Sequence, residues 1–113
     1  MNIGVEHYGR CVMLNIKGEI TEDGLGALIQ TINTHLQEDG VSDLVLNLDE
    51  VPYIDSVSLE YLWDLRDHLH EADRHLRLVG PDENVQKIFE ITRLDGKFDV
   101  FHDVGEVLKT FQT

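Results

Sequence analysis

Ile3, Val5 and His7 alternate with Gly4, Glu6 and Tyr8, the two-residue period of a strand with one buried face. Gly9-Arg10 follows as a turn. Val12, Leu14 and Ile16 then alternate with Cys11, Met13 and Asn15, which predicts the second arm of a hairpin ended by Gly18. At Leu25 the period changes: Leu25, Leu28, Ile29, Ile32 and Leu36 recur at helical spacing and stop near Gly40. Leu44-Val45-Leu46-Asn47-Leu48 is a short, nearly unbroken apolar run between turn residues, the pattern of a strand covered on both faces. Leu62, Leu65, Leu69 and Ala72 form the next helical stripe, broadened by Leu59 and Trp63. Leu76 and Leu78 predict a short strand closed by Gly80-Pro81, and Val85, Ile88 and Phe89 the core side of a third helix ending before Gly96. Phe98, Val100 and Phe101 suggest a last strand; Val104, Val107, Leu108 and Phe111 form a closing helix. The order β-β-α-β-α-β-α-β-α predicts an α/β fold, a mixed sheet with an N-terminal antiparallel hairpin, a parallel centre and helices packed on it. With no repeat, low-complexity tract or linker, residues 1–113 read as a single domain.

Composition narrows the function classes more than the fold. The chain is 42% hydrophobic and 27% charged, an ordinary globular balance. No apolar run approaches the ~20 residues of a membrane span, and the N-terminus MNIGVEHYGR lacks the basic and apolar regions of a signal peptide. Cys11 is the single cysteine, which excludes an internal disulfide, suits a reducing compartment and makes the cytoplasm the expected location. A net charge of -13 leaves too few dispersed cations to follow a row of phosphates, so direct nucleic-acid binding is not expected. The same acidity steers the domain toward basic protein surfaces.

The candidate chemistry lies between Leu44 and Leu69, LVLNLDEVPYIDSVSLEYLWDLRDHL. An apolar strand runs into an acidic turn, then Asp55-Ser56, then an amphipathic helix. A helix start carries unpaired N–H groups and partial positive charge. Asp55 or Ser56 can simply cap those donors, the commonest use of both residue types. Ser56 can also present a hydroxyl to a phosphoryl donor, and spacing alone leaves both readings open.

Leu48-Asp49, Tyr53-Ile54 and Asp55-Ser56-Val57-Ser58-Leu59-Glu60 resemble the signature of STAS domains, specifically the bacterial anti-sigma factor antagonists. That pattern is an apolar strand ending in Asp-Leu, an apolar pair, then Asp-Ser-Ser/Thr-Gly-Leu-Gly. The resemblance extends over the chain through Gly18-Glu19-Ile20, Ile91-Thr92-Arg93-Leu94-Asp95 with Phe98, and Val104 to Leu108. It departs at two places, where Ser58 and Glu60 stand for family glycines. The resemblance implies the STAS fold and makes Ser56 the phosphorylatable serine, with Asp55 supporting its hydroxyl. It implies a partner that is an anti-sigma factor with serine kinase activity, bound when Ser56 is unmodified and released on phosphorylation, with a PP2C-type phosphatase reversing the step. Asp55, Ser56, Val57, Ser58, Glu60 and Tyr61 are then the partner-binding residues. The chain would be substrate and ligand rather than enzyme. STAS domains also serve as interaction subunits of transporters and signalling scaffolds, which would use the same surface without phosphorylation.

Other features add little chemistry. There is no Gly-x-Ser-x-Gly elbow, Walker loop or Gly-x-Gly-x-x-Gly fingerprint, so no catalytic or cofactor-binding residue is assigned. His68, His70 and His75 suggest a metal cluster, but the spacing of the first two puts them on different sides of a helix, and no metal ligand is assigned. Trp63 reads as core; Tyr61 faces away from the stripe and reads as interface; Ser58 reads as a surface serine or second phosphoacceptor. Oligomeric state is not legible in the sequence.

Overall fold

In a computed structural model, residues 1–110 are described and form one five-stranded sheet with four helices. Strands β1 (Asn2–Tyr8) and β2 (Cys11–Lys17) pair antiparallel. Strands β3 (Asp43–Glu50), β4 (His75–Val79) and β5 (Asp99–Phe101) then add in parallel, in the order β1-β2-β3-β4-β5. Helices α1 (Glu22–Leu36), α2 (Ser56–Glu71), α3 (Glu83–Ile91) and α4 (Val104–Lys109) connect or follow them. Phe111, the last apolar residue of the expected closing helix, lies outside the described residues.

The two faces of the sheet carry unequal cores. Val12, Leu14, Ile16, Leu44, Leu46, Leu48, Leu76 and Leu78 point to the face covered by α1, α2 and α3, where Leu28, Ile32, Leu59, Leu62, Val85 and Phe89 meet them. Cys11, Met13, Val45 and Val79 point the other way and are covered by Val107 of α4, with Val104 and Leu108 beside it. This second layer explains why Leu44 to Leu48 is buried at every position. Burial pushes the Cys11 thiol up to about 11, nearby Asp43 adding to the effect and Arg77 opposing it, so Cys11 is a small apolar residue at neutral pH.

β1 departs from its expected one buried face. Of its alternating residues only Ile3 reaches the core; Val5 is 37% exposed, and His7 is exposed and meets only the end of α1. As the outer strand, β1 extends beyond the cover that the helices give β2 and β3. Ala72 likewise sits exposed as the C-cap of α2 rather than closing its apolar stripe. The far end of α1 is held by Arg74, whose Nε donates to the Ser42 carbonyl and whose Nη2 donates to those of Leu36 and Val41, each at 3.0 Å. Arg74 is aimed there by Asp73, which takes a left-handed conformation with φ 59° just after α2.

Candidate functional site

The loops that enter α1 and α2 run side by side. Gly18 N–H donates to Glu50 O at 3.0 Å, Ile20 N–H to Tyr53 O at 2.9 Å, and Asp55 N–H to Ile20 O at 3.0 Å. The chain turns into this zipper at Gly18, whose φ of +103° disfavours any residue with a Cβ. Ile20 and Ile54 form a parallel bridge and are both buried, which anchors the pair of loops to the core.

Asp55 stands where the loops end. Its Oδ1 accepts the Ser58 N–H at 2.8 Å and caps α2, while its Oδ2 accepts the Glu22 N–H at 2.8 Å. Thr21, the N-cap residue of α1, makes no side-chain cap bond of its own. One carboxylate therefore caps two helices, its own α2 and the start of α1 at Glu22, 33 residues earlier in sequence. Partial burial pulls the Asp55 carboxyl upward, but hydrogen bonding by Ser58 and by the Glu22 N–H outweighs it and holds the group below its ordinary value.

Ser56 is the first residue of α2 and is exposed. Tyr53 at 44% exposure and Val57 at 43% lie on either side of it in sequence, and Glu60, one helical turn on, is exposed on the same side of the helix. Ser56 and Glu60 also line a shallow groove of about 230 Å³ with Leu59, Trp63, Thr92 and Leu94, between α2 and the end of α3. Trp63 packs edge-on against Phe98 at 5.7 Å between ring centroids, and the Arg66 guanidinium lies 5.2 Å from its ring centre. It is thus a core-edge residue with one side toward the groove.

Two residues expected on the surface are withdrawn from it, Ser58 wholly and Tyr61 in part. Ser58 has no accessible area. It lies four residues before Leu62 and eleven before Leu69, on the face that α2 buries, so neither a kinase nor a partner reaches its hydroxyl in this conformation. Tyr61 packs against the main core and its hydroxyl is buried without a hydrogen bond. Burial alone raises its pKa. Asp55, Ser56, Val57 and Glu60 remain together on the surface, with Tyr53 as an addition that the sequence reading left out. Tyr61→Phe is expected to leave stability unchanged or raise it by up to about 1 kcal/mol, since it removes an unsatisfied polar atom. A lower urea midpoint for the variant would show that the hydroxyl has a partner.

His68 and His70 are exposed in the last turn of α2, and His75 Nδ1 lies 3.0 Å from Asp43 Oδ1, so these three histidines form no cluster. Among the described residues no helix is long and apolar enough to cross a membrane.

Comparisons with known proteins agree with this architecture. The anti-sigma-B factor antagonist of Staphylococcus aureus (strain NCTC 8325 / PS 47) is 30% identical over 66 residues, which are 58% of this chain and 61% of that protein. The match thus spans about three fifths of the relative's length. Among solved structures, a Thermotoga maritima protein superposes with a TM-score of 0.87 at 19% identity, covering 98% of this chain and 95% of that one. The anti-sigma factor antagonist SpoIIAA in its unphosphorylated form gives 0.76 at 14% identity, covering 99% of this chain and 100% of that one. The Bacillus cell fate determinant SpoIIAA in its phosphorylated form gives 0.74 at 15% identity, covering 98% and 100%. At such identities the structures speak for the fold. The STAS domain family matches residues 2–107, the whole sheet and all four helix starts, and the chain belongs to that family.

Proposed function

We propose that the chain is an anti-sigma factor antagonist of a partner-switching pathway in the cytoplasm. Unmodified, it binds an anti-sigma factor that has serine kinase activity and so frees the sigma factor. Transfer of the ATP γ-phosphoryl group to Ser56 Oγ, with loss of the hydroxyl proton, ends the complex, and a PP2C-type phosphatase restores the free hydroxyl by hydrolysis. The observation that carries this reading is the exposed Ser56 at the start of α2, held in place by the doubly bonded Asp55. Ser58 is withdrawn into the core, which leaves one acceptor in the Asp-Ser-Val-Ser segment. The S. aureus relative carries the name of such an antagonist, which supports the same role here.

Asp55, Ser56, Val57 and Glu60 form the contact surface, extended by Tyr53 and the groove beside Trp63. Glu60 favours a second reading, a STAS interaction subunit of a transporter or scaffold that is never phosphorylated. Its carboxylate shares the groove with Ser56 and opposes a second negative charge there. Incubation with the cognate anti-sigma kinase and ATP, followed by intact-mass measurement, separates the two. A single phosphoryl addition absent in Ser56→Ala supports the switch; tight binding with no addition supports the scaffold.

A further inference from the structure

His7 near the end of β1, His35 in the last turn of α1 and Glu38 just beyond it bring their side chains together away from the Ser56 surface. Their imidazole nitrogens and carboxylate oxygens all lie within 4.8 Å of one another. Glu38 divides its carboxylate between the two rings: Oε2 lies 3.2 Å from His7 Nε2, and Oε1 is hydrogen bonded to His35 Nδ1. The rings meet edge to face at 5.5 Å between centroids.

We propose that His7, His35 and Glu38 form a binding site for a divalent transition-metal ion of the zinc type. Two imidazoles and one carboxylate are a ligand set that zinc accepts and that magnesium and calcium, which prefer all-oxygen cages, do not. The size also fits. Ligands about 2.1 Å from a tetrahedral zinc are separated by about 3.4 Å from one another, inside the 4.8 Å within which these atoms already lie. The ion would take the place of the hydrogen bonds between Glu38 and the rings, and water would complete its coordination. Arg74 already takes the carbonyls of Leu36, Val41 and Ser42, so side chains alone supply the protein ligands.

Such an ion ties β1, the outer strand, to the end of α1 across 31 residues of sequence. It binds the folded chain in preference to the unfolded one and raises its stability by mass action. The site lies at the opposite end of α1 from Glu22 and Asp55, about 20 Å away along a helix rising 1.5 Å per residue. Metal binding and partner binding are therefore separable by experiment.

The test is calorimetric titration of the full chain, free of any histidine tag, with zinc chloride at neutral pH, and with magnesium chloride for contrast. One zinc per chain is expected, with no magnesium binding. His7→Gln and Glu38→Gln, both at exposed positions, should each weaken zinc at least about tenfold, since losing a ligand costs no less than losing its outer-shell support. His35→Gln should do the same, and His68→Gln with His70→Gln should leave binding unchanged. Absence of zinc binding, equal affinity for magnesium, or unchanged affinity in His7→Gln and Glu38→Gln would each overturn the proposal.

Discussion

Ser56→Asp is expected to weaken binding to the anti-sigma partner by about a hundredfold or more while hardly changing the fold. Both halves follow from where the hydroxyl sits. A negative group at the first position of α2 gains about 0.3–1 kcal/mol from the helix N-terminus when exposed. Against this stand Asp55, one residue back, and Glu60, four residues on and on the same side. The terms nearly cancel, and melting should move by no more than about 4 °C for a domain of this size. In a docked complex the same charge loses its water. An unpaired buried charge costs several kcal/mol, and each 1.4 kcal/mol is tenfold in affinity. Ser56→Ala should bind as wild type does, since it removes no charge and little area. Affinity and melting measured on all three proteins check the prediction. Equal binding by Ser56→Asp and wild type would remove the electrostatic switch from the proposed function.

Asp55→Ala is expected to cost about 2 kcal/mol of stability, roughly one for each helix cap removed. The loss should appear as a lower urea midpoint with an unchanged slope. Asp55→Asn separates the two caps. An amide offers one oxygen where the carboxylate offers two, so one of the Ser58 and Glu22 N–H groups would face an NH₂ instead. About 1 kcal/mol should be lost. Because folding depresses the Asp55 carboxyl pKa, its contribution is complete above the unfolded value of about 3.9 and declines as pH falls through the folded value. The gap between wild type and Asp55→Ala should therefore be widest at neutral pH and close in acid. A gap that stayed constant down to the acid limit would place the effect in packing rather than in the carboxylate.

Periodicity sufficed for the element order because each strand or helix buries a face at its own repeat, and the unbroken run from Leu44 to Leu48 gave away the second layer on the sheet. The failures have geometric causes. Alternation in β1 reports a strand but not whether a helix extends over it, and at the sheet edge Val5 stays exposed while His7 meets only the end of α1. Ser58 was misplaced because its hydroxyl reads as polar, although its spacing to Leu62 and Leu69 already put it on the buried face. Tyr61 is half-buried because that face extends past the leucine stripe to include it. The second role of Asp55 had no local signal, since its bond to Glu22 joins two loops 33 residues apart. For His35 and Glu38 the three-residue spacing was visible, but His7 could be added only once β1 was laid beside α1.

The Asp55–Glu22 bond turns a distant amide into a reporter. The Glu22 amide donates its proton to Asp55 Oδ2, so its chemical shift and exchange rate record whatever moves that carboxylate beside Ser56. In a nuclear magnetic resonance spectrum, one peak from the first turn of α1 would follow the state of a serine on a different helix. It would do so without a label at the serine or a substitution anywhere near it.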